Sequence, residues 1–213
     1  MKAEMRNDGS LVLIPETARD RQDLSFWKVA LAGHFLAQRK APGDALVLED
    51  AGPLEEPLNV LSTGTDANAR LISNLAETPF RLDGREYRSV ESFWQGLKFE
   101  KQEDRDRIAS MDGRQARREG QRRGYRDYTT YAGKHARVGS PGQWLCMIGA
   151  ALAKFSQNEE ARNAILATGE RKLTHVVKSH ASTAIPGAVM AGIWTWIRVC
   201  LRERPGLSYR GDE

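Results

Sequence analysis

Ten residues, Pro79 to Arg88, read PFRLDGREYR and set Asp83-Gly84 between Phe80, Leu82 and Tyr87. Asp-Gly accepts the positive φ that a two-residue hairpin turn demands, so this segment predicts a β-hairpin. Ser89 follows where an N-cap belongs, its hydroxyl able to accept from an early helix amide, and Val90 to about Lys101 predicts a helix. A hairpin that runs straight into a capped helix commits the chain to a mixed α and β architecture. Elsewhere the apolar spacing is helical. Helices are predicted over Arg105 to Ser110, Gln115 to Arg123, Gln143 to Ser156, Glu159 to Ala167 and Ala188 to Arg204, with Asn158 capping the fourth of these and Gly169 ending it. Trp144, Met147, Ile148, Ala151, Leu152 and Phe155 form one broad stripe, the geometry of a core-facing helix. The fold class that follows is α+β, predominantly helical, with a small β-hairpin or sheet.

Ahead of this region, Leu11 to Pro15 and Ala45 to Leu48 read as short strands, and Thr17 to about Phe35 carries Leu24, Trp27, Leu31 and Phe35 at helical spacing. Gly52, Pro53 and Pro57 then interrupt the chain before a β-like Leu58 to Leu61. The division is therefore expected between a strand-helix-strand extension, residues 1–57, packed on a main domain of residues 58–213. The chain has 213 residues, long enough to bury roughly 70% of the surface exposed by its unfolded form. No apolar run reaches the ~20 residues that cross a bilayer, and Met1 to Asp8 has no apolar h-region followed by a small-residue cleavage site. A cytoplasmic location and no membrane partner are expected. Cys146 and Cys200 sit in apolar helical patterns, where reduced, buried thiols are expected.

Chemistry concentrates in the helix after the hairpin. At roughly 100° per residue, Glu91, Gln95 and Lys98 fall within about 40° of one another. A carboxylate, an amide and an amine thus share one stripe. Taken from the residues alone, it reads first as a solvated face with an ordinary Glu to Lys pairing. The second concentration is Arg114, Arg117, Arg118, Arg122, Arg123 and Arg126, opposed by Glu119 alone. It suits either a solvated helix or bidentate contacts to phosphates. Tyr125, Tyr128 and Tyr131 follow it, as a stacking surface or as core. With 32 Lys+Arg against 28 Asp+Glu, the net charge of +4 does not decide between these. His34, His135, His175 and His180 lack metal-ligand spacing, and no HExxH or CxxC occurs, so no metal is expected. Walker-type loops, GxGxxG and GxSxG are also missing, which disfavours classical nucleotide folds and acyl transfer by serine.

Residues 73–99, SNLAETPFRLDGREYRSVESFWQGLKF, resemble the signature of the NADAR (YbiA-like) family, which reads SNF, a short hairpin with DG, VEHYFQ and KF. Residues 150–175, AALAKFSQNEEARNAILATGERKLTH, resemble its second signature, an AL-x-KF helix, a QN cap and LLATG before a strand. Two signatures in the right order cover roughly residues 58–204. The resemblance implies a YbiA-like domain that binds ADP-ribose-like or ribosyl-phosphate ligands and cleaves an N-glycosidic bond. It implies no cofactor. Carried over by matching positions, the catalytic residues are Glu91 and Lys98, and the substrate-binding residues are Ser73, Asn74, Trp94, Gln95 and Lys154, with Lys154 the second choice for an attacking amine. This reverses the reading of the Glu91 stripe as a solvated face.

The pattern also departs from the family. Ser92 stands where many relatives have histidine, so a histidine there is not required. Residues 178–192, KSHASTAIPGAVMAG, replace a WGDG-like loop and offer His180, Ser182 and Thr183 but no carboxylate. Removal of ADP-ribose from guanine bases is the leading expectation, with an ADP-ribose-containing or ribosyl-phosphate ligand as partner and ADP-ribosylated nucleic acid as its macromolecular form. Alternatives are an N-glycosidase acting on a riboflavin-pathway intermediate, a non-catalytic ADP-ribose or NAD-binding module, and a basic protein that binds unmodified nucleic acid.

Overall fold

The computed structural model describes residues 2–5, 11–21, 37–40, 46–49, 56–177 and 184–211. Four strands open the chain: β1 (Lys2–Met5), β2 (Leu11–Ile14), β3 (Ala37–Lys40) and β4 (Leu46–Glu49). They form an antiparallel sheet in the order β1-β2-β4-β3, pairing Lys2 with Ile14, Leu11 with Leu48 and Ala37 with Glu49. β2 and β4 match the two strands expected from sequence; β1 and β3 add to the strand-helix-strand expectation. The expected Thr17 helix does begin, at Ala18, where Thr17 Oγ1 accepts from Asp20 N at 3.0 Å and Asp20 Oδ2 accepts from Thr17 N at 3.1 Å. Its continuation beyond Arg21 lies outside the described residues.

From residue 56 the chain builds around one long helix, α5 (Pro141–Gln157). The other elements are β5 (Leu58–Asn59), α1 (Ala67–Ile72), β6 (Phe80–Leu82), β7 (Arg85–Tyr87), α2 (Val90–Gly96), α3 (Gln102–Ala109) and α4 (Gly113–Arg123). After these come β8 (Tyr128–Tyr131), β9 (Lys134–Arg137), α6 (Glu159–Ala167), β10 (Leu173–Thr174) and α7 (Gly187–Glu203). α5 packs against α2, α6, α7, β6 and β9, which accounts for its apolar stripe. Met147, Ala150, Ala151 and Phe155 of that helix are fully buried with Ile72, Phe93, Ile165, Trp194 and Ile197, each large side chain adding about 1.5–3 kcal/mol through burial. The fold is the predominantly helical α+β class expected from sequence. No helix among the described residues is long and apolar enough to cross a membrane.

The β6–β7 hairpin turns at Asp83 (φ 49°) and Gly84 (φ 74°), with Phe80 opposite Tyr87. A second hairpin, β8–β9, turns at Ala132 (φ 48°) and Gly133 (φ 72°). The sequence reading did not anticipate it, because alanine lacks the short polar side chain that lets Asp or Asn settle in the left-handed region. Phe80 stacks on Tyr87 at a centroid distance of 5.6 Å, and Phe93 meets Tyr87 and Tyr131 edge to face at 5.2 and 5.1 Å, which sets α2 between the two hairpins. The Tyr131 hydroxyl donates to Asp83, joining the two turns. β5 and β10 pair in parallel, Leu58 with Leu173, bringing the start of this region beside the segment after α6.

Candidate functional site

The site grows from the junction of α1 and α2. Asp66 caps α1 by accepting from Ala69 N at 2.9 Å, and at the other end Lys154 Nζ donates to the carbonyls of Leu71, Ile72 and Ser73 at 2.7, 3.1 and 2.9 Å. The next carbonyl, that of Asn74, accepts from Glu91 N at 2.8 Å. Four consecutive carbonyls are thereby satisfied, three by a buried ammonium and one by the first turn of α2. Ser89 caps α2 reciprocally with Ser92: Ser92 N donates to Ser89 Oγ at 3.0 Å and Ser89 N donates to Ser92 Oγ at 3.1 Å. The serine that replaces the family's histidine is thus part of the helix start.

Glu91 stands in that first turn, half-buried, and Gln95 one turn later donates from Nε2 to Glu91 Oε1 at 2.7 Å. Toward an ionised Glu91, which can only accept, Gln95 presents its Nε2. Burial pushes the Glu91 carboxyl above its ordinary range, and the Gln95 hydrogen bond, the Arg117 charge and the Lys98 charge each pull it back. Although part of its residue surface stays open, its surroundings are mostly protein. This is how a carboxyl remains reachable while its ionised form is disfavoured.

Lys98 was expected on a continuous helix to about Lys101. α2 instead ends at Gly96, with Leu97 as C-cap, and Lys98 N closes a tighter turn onto Gln95 O at 3.1 Å. The turn keeps the amine on Glu91's side. Its Nζ donates to Gly120 O at 2.8 Å and lies 3.9 Å from the centroid of the Tyr125 ring. Burial pulls the amine down to about 8, with Glu91 acting in the opposite direction. Tyr125 titrates above its usual range, first from burial and then from the Glu91 charge, with a Trp94 hydrogen bond opposing.

α4 closes the site from the other side and approaches unusually near. Gly113, Ala116 and Gly120 are buried, at a spacing that puts all three on one face. A Cβ on Gly113 would lie 2.6 Å from Leu75 O, and one on Gly120 would lie 1.9 Å from Gln95 Oε1. At Gly113 glycine lets the α4 backbone meet that of Leu75, and at Gly120 it leaves room for the Gln95 side chain. The adjacent face of α4 carries Arg114, Arg117, Arg118 and Gln121, which with Ser62, Leu75 and Asp112 line a cleft of about 530 Å³. Arg117 belongs to both regions, lining the cleft and acting on the Glu91 charge.

Of the residues named from sequence, Glu91, Gln95 and Lys98 come together with the backbone of Asn74. The others are placed differently. Lys154 has no exposed surface and burial pulls its amine down to about 7, while its three carbonyl partners occupy all three ammonium donors. It holds α1 in place and presents no donor to a ligand. Ser73 is buried at the end of α1 and accepts from Leu75 N. Trp94 lies in the core at 4% exposure, so it supplies no open stacking face. The side-chain amide of Asn74 lies against the sulfurs of Met190 and Met147, at 3.3 and 3.6 Å, and no donor among the described residues reaches its Oδ1 or Gln95 Oε1. His180, Ser182 and Thr183 lie outside the described residues. Sequence reasoning missed Gly113, Gly120 and the special place of Arg117. Small residues at 113, 116 and 120 within an arginine-rich helix were the available signal.

The family model described as "Bacteriophage protein GP30.3" matches residues 67–186, more than half of the chain. No curated protein sequence matches it. Among solved structures, the NMR structure of the E. coli protein YbiA is similar, with a TM-score of 0.53 and 22% identity over 73% of this chain and 90% of that one. The likeness extends to the fold, a YbiA-like arrangement of helices with small sheets.

Proposed function

The chain belongs to the Bacteriophage protein GP30.3 family, and from that premise we propose that it is an N-glycosidase acting on an ADP-ribosyl or ribosyl-phosphate N-glycoside, foremost one that removes ADP-ribose from guanine bases. The observation that carries this reading is the Glu91 carboxyl, held by Gln95 at 2.7 Å, raised in pKa by burial, and set between a depressed lysine and an arginine-lined cleft. Its resemblance to the NADAR signatures and its YbiA-like fold support the same class.

Cleavage of a ribosyl N-glycoside develops positive charge at C1, which a nearby carboxylate stabilises. In the proposed route Glu91 gives its proton to the ring oxygen as the C1–O bond opens, leaving an iminium between C1 and the base nitrogen. The neutral Lys98 amine adds to C1, and Glu91 moves a proton from that amine to the departing nitrogen. The C1–N bond to the base breaks, and a Schiff base joins C1 to Lys98. Water, deprotonated by Glu91, hydrolyses it, so one water is consumed and free base and sugar are released. Lys98 must leave Gly120 O to act, a contact worth about 1–3 kcal/mol.

A panel of ADP-ribosylated guanine, adenine and thymine substrates beside a ribosylaminopyrimidine phosphate tests the reading. Release of free guanine, with borohydride trapping an adduct on Lys98, is expected. Release from the aminopyrimidine alone would move the substrate to the riboflavin-pathway class, and binding without release from any glycoside would contradict the enzyme assignment.

A further inference from the structure

The arginines of α4 are not equivalent. Arg122 pairs with Glu119 at 2.9 Å, a carboxylate that Arg107 of α3 also reaches at 3.9 Å, while Arg126, beyond the end of α4, pairs with Glu100. Arg114, Arg117 and Arg118 are exposed and form no ion pair within 4.0 Å among the described residues. With Gln121 they occupy one stripe, at spacings of three and four residues. The carboxylate in the same lining, Asp112, is committed to the helix start, accepting from Arg114 N and Gln115 N at 2.9 Å each. Three guanidinia and one carboxylate leave the cleft with two net positive charges, and the carboxylate of α4, Glu119, is engaged with Arg122 and Arg107.

Guanidinium forks fit phosphate oxygens in bidentate fashion, and a row of them on one helix face matches successive phosphates. Two net charges match a diphosphate esterified at both ends. At about 530 Å³ the cleft also exceeds what a lone phosphate fills and suits a nucleotide-sized ligand. Its position matters as well, because Arg117 acts on Glu91 from the cleft wall.

We propose that Arg114, Arg117 and Arg118 form a subsite for the diphosphate of a nucleotide-sized ligand whose sugar end reaches Glu91. The subsite extends the glycosidase reading and rests on it only for what lies at Glu91. An anion seated there neutralises Arg117 and weakens its hold on the Glu91 charge, so filling the cleft favours the protonated carboxyl that the reaction starts from.

Calorimetry on the full chain tests it with ADP, inorganic pyrophosphate, adenosine and an unmodified oligonucleotide. ADP and pyrophosphate should bind, and ADP should bind at least about tenfold tighter than adenosine. Arg114→Gln, Arg117→Gln and Arg118→Gln should each weaken ADP by about fivefold or more at unchanged melting temperature, since all three side chains are exposed. Glu91→Gln should bind ADP at least as tightly as the unaltered protein, since it removes a negative charge that acts on Arg117, which separates this claim from the catalytic one: loss of turnover with retained binding leaves the subsite standing. ADP binding no tighter than adenosine would overturn the proposal. So would undiminished ADP binding by the three arginine variants, or oligonucleotide binding that ADP does not compete away.

Discussion

At the scale of the residue, the account rests on two buried groups that perturb each other. Glu91 and Lys98 each lose hydration, which raises one and lowers the other, and their opposite charges partly compensate. The sign of each consequence differs. In the unfolded chain Lys98 keeps its proton up to its ordinary 10.5, whereas in the folded protein it releases it at about 8. Between those values the unfolded state binds more protons, so this group's contribution to stability grows as pH rises. Glu91 does the reverse: folding holds its proton above the ordinary 4.5, and its contribution declines as pH climbs through the folded value. For activity, the neutral amine is the working form of Lys98. Because the route needs Lys98 neutral and Glu91 protonated, we expect kcat/KM for base release to pass through a maximum with pH and to fall on the alkaline side, and Lys98→Met to remove turnover together with the trapped adduct. A Lys98→Met protein with an undiminished rate would remove the lysine from the mechanism. The sequence already brought Glu91, Gln95 and Lys98 together by spacing. It could not reveal that Lys154 is spent on the carbonyls of α1, because a lysine's partners come from a segment about 80 residues away.

At the scale of the element, the site depends on how closely α4 approaches α2. The small-residue face of Gly113, Ala116 and Gly120 brings Gly120 O to Lys98 and the α4 backbone against the Gln95 side chain. Gly120→Ala puts a methyl where Gln95 now lies, so we expect a loss of about 1–3 kcal/mol of stability, as for other overpacked contacts. Because the displaced side chain is the one that holds Glu91, base release should fall by more than tenfold while ADP still binds. A variant with full activity would show that the Gln95 contact to Glu91 is dispensable. Helix starts were legible at Ser89 and Asn158, whose side chains accept from Ser92 N and Ala161 N, but not at Asp66, Asp112 or Ser140: α1 was not anticipated, and α4 and α5 begin two residues earlier than their apolar spacing suggested. The end of α2 was less so. Apolar spacing runs on through Leu97, and what stops the helix is a tightened turn that places Lys98 against α4. The β8–β9 hairpin was hidden for a related reason, since Ala132-Gly133 carries little of the turn preference that made Asp83-Gly84 conspicuous.

At the scale of the whole molecule, the hydrophobic core of the described residues runs from Leu58 to Leu201, and the family match lies within that span. The proposed division, an extension of residues 1–57 packed on a domain of residues 58–213, predicts that a chain beginning at Glu56 melts cooperatively, a few degrees below the full chain, and retains ADP binding. Loss of a cooperative transition on truncation would make the N-terminal sheet an integral part of the domain. The two signatures made the architecture readable before any coordinates, because they bracket the helices that form the core. The cleft was not readable, since its wall combines Ser62, Leu75 and one face of α4 that only the packing selects. All of these scales meet in the chemistry of one carboxyl. The direct test is release of free base from an ADP-ribosylated guanosine by the full chain and by Glu91→Gln, each at saturating substrate. The account predicts a drop of about 100-fold or more in kcat, with a melting temperature unchanged or slightly raised because a disfavoured buried charge has been removed. Near-equal turnover by the two proteins would contradict it.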